Sequence, residues 1–402
     1  MVTSNVILIL GLLYFCAHGF AYLFQKTKTP DVLILMVIGL IIGPIIGWVG
    51  PENFGGAGEV LTTIALTVIL FEGGLSLKLK ILSSAVGATL ALTLITAFAT
   101  IVVVAAASST FLGLSPELAL LCGAILCGTS SAVVIPMVQA LKLSEKSSTI
   151  LVLESALTDV ICIVLSFSLL RAIEEKTFSY ANVIGQIGLS LSIAVIIGIV
   201  GGALWLKLWP LVRRFPTTTF TTIAYAFIMY GATELFGLSG AIATLVFGFT
   251  ITNIPDLISK IEFPRMTDVE RKFFQEIVFL LKTFFFVYLG ISIQFSNYYL
   301  VFVAFLVVPI IYLARIFIVR WVAPKETSVR DASLASFLIP KGLAAAVLAS
   351  LPKQYGLPEG GDIQLFVYSV IFFSILFTAV LVPLAETKNI QKLLMKLLKK
   401  TI

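Results

Sequence analysis

Apolar residues run along this chain in blocks of about twenty, separated by short polar connections. A block of that length crosses the hydrocarbon core of a bilayer as a helix. Thirteen such stretches are predicted, at roughly 5–23, 31–49, 58–77, 85–108, 118–140, 148–173, 182–207, 217–236, 238–254, 275–294, 299–319, 331–351 and 362–385. Punctuating residues fall where this division needs them: Pro30 before the second stretch, Pro51 after it, Pro116 opening the fifth and Pro216 the eighth. The alternating ten-residue segments of a membrane β-barrel are missing. The expected fold class is therefore an all-α polytopic membrane protein of about thirteen transmembrane helices.

Composition agrees with that pattern. Of 402 residues, 59% are apolar and 12% charged, too little charge to cover a soluble surface. The distribution of basic residues orients the chain. Placing alternate connections on opposite sides puts 21 of the 27 Lys and Arg on one side and three (Arg171, Lys176, Lys353) on the other, with Lys282, Arg315 and Lys341 inside stretches. The crowded side is cytoplasmic by the positive-inside rule. That puts the C-terminus in the cytoplasm and the N-terminus outside, with a prokaryotic plasma (inner) membrane as the expected location. The basic residues form no continuous face, so nucleic acid is not an expected partner. The tail, 386–402, is amphipathic and is expected to lie on the membrane surface.

Four cysteines (Cys16, Cys122, Cys127, Cys162) and the single histidine, His18, lie in apolar runs without metal-ligand spacing. Buried packing is expected for all five. No resident metal and no cofactor are expected, and with no nucleophile–base pairing an enzyme is not indicated.

Ionisable groups deep in a membrane span are costly and mark function. The sixth stretch carries LVLESALTDV (151–160), which places Asp159 about eleven residues from its cytoplasmic start, roughly 16 Å deep and near the midplane. Ser155 and Asp159 share a helix face, as do Glu154 and Thr158. The fifth stretch carries CGTSSAVVIP (127–136), where Thr129, Ser130 and Ser131 before Pro136 are poor support for a continuous helix. Such an interruption exposes backbone carbonyls near Thr129. The twelfth carries FLIPKGLAAAV (337–347), with Lys341 between Pro340 and Gly342 at a similar depth. Two broken helices crossing antiparallel at the midplane signal an inverted-repeat secondary transporter. Glu72, in LFEGGLSL of the third stretch, is either an ion ligand or a snorkelling charge. Glu234 and Arg315 are expected to form a structural pair.

These motifs, LFEGGL (70–75), GTSSAVVIP (128–136) and ESALTD (154–159), resemble the monovalent cation–proton antiporter superfamily, nearest the NhaP-like Na⁺/H⁺ antiporters. The resemblance implies Asp159 as the alternating cation and proton carrier, with Ser155, the Thr129 carbonyl and Glu72 as further ligands. It pairs Glu154 with the basic residue on the broken twelfth stretch, here Lys341. It also implies a translocating core (85–173 and 299–385), a homodimerising scaffold (5–77 and 217–294) and a linking helix (182–207). Two departures stand out: Thr158-Asp159 replaces the usual Asn-Asp, and lysine replaces a common arginine at 341. SSAVVIP (130–136) is similar to Kef-type K⁺/H⁺ exchangers, leaving Na⁺ and K⁺ both open.

One carboxylate facing alternately inward and outward holds a proton or a cation but not both, which is the chemistry of exchange. Thr158 does not titrate, so one cation per proton is expected. A Na⁺- or H⁺-coupled symporter of a small organic anion is the rival reading, with Lys341 as its single midplane cation.

Overall fold

The structure, a computed structural model, describes residues 11–19, 22, 30–76, 79, 86–174, 180–216, 218–236, 238–258, 263–293, 297–324, 326–387, 390–391, 395 and 397. Among them there is helix and no strand. After a helical stretch at 11–19 come α1 (Asp31–Leu40), prolonged by a π-helical turn at Ile41–Ile45, and α2 (Gly55–Ser76). Then follow α3 (Val86–Leu112), α4 (Pro116–Leu126), α5 (Ser131–Leu141), α6 (Glu145–Glu174) and α7 (Tyr180–Val212). The remainder is α8 (Thr221–Leu235), α9 (Gly240–Leu257), α10 (Asp268–Ser292), α11 (Tyr298–Val322), α12 (Val329–Phe337), α13 (Leu343–Leu348), α14 (Leu351–Gln354) and α15 (Gly360–Ala385).

By length and composition, eight helices among the described residues suit a membrane crossing, with α4 and α5 counted as one, against thirteen expected. Two shorter apolar helices, Asp31–Ile45 and Thr63–Leu75, fall below that length. The expected amphipathic tail lies for the most part outside the described residues. Local chemistry sets several helix starts. Ser115 accepts from Leu118 N–H ahead of Pro116, and Ser239, Asn297 and Ser328 cap α9, α11 and α12 in the same way.

The chain divides into two compact units. One comprises Met1–Gly55, Ala85–Cys162 and Thr283–Ile402, the other Gly56–Ser84 and Ile163–Lys282. In the second, Phe71 stacks on Phe247 at 5.0 Å and Trp205 on Tyr225 at 4.6 Å, around buried Trp209, Ile223, Ala226 and Phe274. In the first, α3, α4, α11 and α15 pack together, and Tyr312 of α11 donates from its hydroxyl to Ser374 O of α15 at 2.7 Å. At one end of this unit Asp331 accepts from both Ser144 N–H (3.1 Å) and Ser144 Oγ (2.6 Å). Arg330 donates there to Leu141 O and Glu386, fastening the ends of α5, α12 and α15.

Outward faces are apolar. On α3 Leu94, Phe98 and Val102 are exposed, and on α11 Phe302, Leu306, Ile310, Leu313 and Phe317, as hydrocarbon surroundings require. Cys122, Cys127 and Cys162 are buried as expected, whereas Cys16 is exposed, and His18 is exposed and packs edge-on to Tyr14. The first stretch puts both on its outer side, which an all-round apolar run does not disclose.

Lipid gives no hydrophobic drive for helix association, so close packing depends on small residues. Within the first unit α1 and α10 cross glycine to glycine: a Cβ on Gly39 would lie 2.9 Å from the Gly290 Cα, and the reverse holds equally. Gly290→Val is accordingly expected to cost about 1–3 kcal/mol through overpacking. Gly73→Ala, where a Cβ meets nothing within 4 Å, serves as control. Thermal unfolding in detergent checks this, and equal melting of the two variants would contradict the packing account.

Candidate functional site

The predicted interruptions are present, and they touch. Helix α4 ends at Leu126, residues 127–130 leave helical geometry, and α5 resumes at Ser131. Helix α12 ends at Phe337, and α13 resumes at Leu343. Ser130 N–H donates to Pro340 O at 2.7 Å, joining one break to the other. Gly342 makes the approach feasible, since a Cβ there would collide with the side chain of Ser130.

Each break frees backbone groups that lipid cannot satisfy. Thr129 N–H donates to Thr158 Oγ1 at 3.0 Å, and that hydroxyl donates to Ser155 O at 3.1 Å. Lys341 N–H donates to Ser374 Oγ at 2.8 Å. Thr158 is thereby committed to holding the break, and its oxygen is occupied by a backbone donor.

Asp159 of α6 is half-buried beside the first break. Ser131 Oγ donates to Asp159 Oδ2 at 2.8 Å. Gly128 leaves room opposite: a Cβ there would sit 3.4 Å from Asp159 Oδ1. Ser155, four residues earlier, is fully buried and turns its hydroxyl hydrogen to Val152 O at 2.9 Å, leaving its lone pairs uncommitted to Asp159. The Thr129 and Ser130 hydroxyls are buried without a hydrogen-bond partner. These are hard oxygen donors suited to a hard cation. Among the described residues no group of three or more His, Cys, Asp and Glu could hold a metal ion.

The expected ion pairs are rearranged. Glu154 pairs with Arg315 of α11 and not with Lys341. The guanidinium grips both carboxylate oxygens, with Nη2 at 2.6 Å from Oε2, and donates further to Thr96 Oγ1 (2.6 Å) and Ala335 O (3.1 Å). A planar fork with five donors can satisfy a buried carboxylate in a way an ammonium cannot. Lys341 Nζ is fully buried and has no hydrogen-bond partner. Glu234, expected to pair with Arg315, instead accepts from Gly240 N–H at 2.7 Å and caps α9, with Arg171 in electrostatic reach. Glu72 belongs to the second unit, within electrostatic reach of Lys282. Ser131 was missed by sequence reasoning, and its place as first residue of α5 was the available signal.

Residues 11–387 match the family profile of the sodium/hydrogen exchanger transmembrane domain. The chain belongs to the sodium/hydrogen exchanger family. That family consists of secondary transporters and not enzymes, and its members are integral to the membrane. Similar relatives include a K⁺/H⁺ antiporter NhaP of Alkalimonas amylolytica, 25% identical over 260 residues, covering 61% of this chain and 44% of that one. A Na⁺/H⁺ antiporter ApNhaP of Aphanothece halophytica is 26% identical over 272 residues, 66% of this chain and 50% of its own. The chain thus spans about half the length of these two relatives. A Na⁺/H⁺ antiporter NhaH of Halobacillus dabanensis is 26% identical over 369 residues, 87% and 89% of the two chains. In fold, this exchanger-family chain is similar to the sodium proton antiporter MjNhaP1 of Methanocaldococcus jannaschii. The TM-score is 0.77 at 21% identity, over 94% of this chain and all of that one.

Removing one partner of a buried ion pair strands the other, at about 3–5 kcal/mol. Arg315→Gln and Glu154→Gln are each expected to lower the melting temperature strongly, and the double variant to recover part of the loss. Lys341→Met, which breaks no hydrogen bond of Nζ, is expected to melt at or above the wild-type temperature. Unfolding monitored by size-exclusion after heating tests this, and a larger loss for Lys341→Met than for Arg315→Gln would contradict the assignment.

Proposed function

We propose that this chain is a secondary antiporter that exchanges a monovalent cation, Na⁺ in preference to K⁺, for H⁺ at Asp159. The observation that carries the reading is a half-buried carboxylate held by Ser131 where the break of α4–α5 meets that of α12–α13. Membership of the exchanger family and relatives named as Na⁺/H⁺ and K⁺/H⁺ antiporters support it. Asp159 faces the two sides of the membrane in turn, by rocking of a translocating core against a homodimeric scaffold. The uncommitted oxygens of Ser155, Thr129 and Ser130 are the candidate co-ligands. The chain crosses a prokaryotic plasma membrane thirteen times, N-terminus outside and C-terminus in the cytoplasm.

Lys341 favours a second reading. An unpartnered buried ammonium is what a symporter of a small organic anion would offer its substrate. The two readings separate in proteoliposomes with no organic solute present, where an antiporter moves protons on addition of Na⁺ or K⁺ and a symporter does not.

Asp159→Asn is expected to abolish cation-driven proton movement while the purified protein melts near the wild-type temperature. Near-normal exchange by a folded Asp159→Asn protein would sink the assignment. Exchange is also expected to be electroneutral, because Thr158 is bound to the break and does not titrate. The Na⁺-driven rate should then be unchanged when liposome voltage is stepped with valinomycin and K⁺. A systematic dependence on voltage would require a second titrating group.

A further inference from the structure

Ser131 stands apart from the other hydroxyls around the break. Among the described residues it is the one side chain that hydrogen-bonds Asp159, with Oγ at 2.8 Å from Oδ2. Ser155 and Thr158 spend their hydroxyl hydrogens on carbonyls of α6, and the hydroxyls of Thr129 and Ser130 reach no partner.

We propose that Ser131 is a positioning residue for exchange, its hydroxyl hydrogen occupying in the unloaded site the carboxylate oxygen that a cation or a proton takes on loading. This rests on the reading of Asp159 as the exchanging group. Rotation of the Ser131 hydroxyl about its Cβ–Oγ bond replaces the hydrogen by a lone pair, so one atom serves the empty carboxylate as donor and the bound cation as ligand. A proton on Asp159 needs no such ligand. Ser131 therefore opposes the proton and assists the cation, and losing the hydroxyl shifts both effects towards the proton. The other titratable or charged groups facing Asp159 are Lys341 of the second break and the thiol of Cys162, with Cys127 and the Glu154–Arg315 pair beyond them. The substitution leaves all of these in place.

The test compares wild type, S131A, S131T and D159N in proteoliposomes, following internal pH after pulses of Na⁺ or K⁺ across a range of pH. A hydrogen bond to a charged group corresponds to roughly a tenfold effect. S131A is expected to move half-maximal exchange about one pH unit alkaline, and to raise the cation concentration needed at neutral pH roughly tenfold. S131T, which keeps the hydroxyl, is expected to return both readouts towards wild type. A purely structural role would lower the rate without displacing the pH profile. If S131A does not survive purification, S131C is judged by the same readouts. Coincident profiles for wild type and S131A, or an S131T profile displaced as far as that of S131A, would overturn the proposal while leaving Asp159 in its role. Exchange by D159N would overturn the underlying reading instead.

Discussion

Two interrupted helices that must satisfy one another's backbone are the constraint on which the centre of this fold depends. In apolar surroundings a free N–H has no water to turn to. Here Thr129 N–H goes to α6, Ser130 N–H to the opposite break and Lys341 N–H to α15. Each donor is satisfied by a different element, so neither break is self-sufficient. The close approach also explains the small and hydroxylated residues between Cys127 and Ser131. Their side chains are short enough to let backbone meet backbone, and their oxygens replace lost helical acceptors.

The buried charges sort by how completely they are matched. Arg315 and Glu154 exchange two hydrogen bonds, and Arg315 has two further acceptors, so the pair makes good its desolvation and is fixed in place. Asp159 is met by the hydroxyl of one serine and lies partly open. A group held that lightly can change partner without dismantling the core. Lys341, with backbone tied and ammonium untied, supplies positive charge to the region without claiming a particular carboxylate.

Much of this was readable from the chain itself. Hydropathy blocks locate the helices, because apolar length maps directly onto helix length. The breaks were legible because proline, glycine and clustered hydroxyls weaken helices through local chemistry that needs no tertiary context. The partners of charges were not legible. Depth in a span follows from counting residues, but rotation about the helix axis and the identity of the facing helix do not. Arg315 was expected to pair with Glu234, and Lys341 with Glu154 by resemblance, whereas the guanidinium reaches Glu154 across the unit. The i,i+4 register places Thr158 on the face of Glu154 but does not say what its hydroxyl meets. The hydroxyl answers a backbone donor that exists only because the chain breaks at Thr129. Ser131 was legible only as one of the hydroxyls that weaken the helix, because its carboxylate partner is 28 residues away.

The charge balance bears on why exchange would proceed one for one. With Lys341 counted as an ammonium, the set of Asp159, Glu154, Arg315 and Lys341 sums to zero when Asp159 is unloaded. A bound proton and a bound monovalent cation each raise that sum by one. The two loaded forms therefore carry equal net charge through the low-dielectric core, and neither is penalised over the other by charge alone. What then distinguishes them is ligand geometry. A proton is satisfied by one carboxylate oxygen, whereas a cation needs several oxygens at once. On the proposed reading, selectivity between them would lie with the hydroxyls at the break, and the Glu154–Arg315 pair and Lys341 would set only the common background.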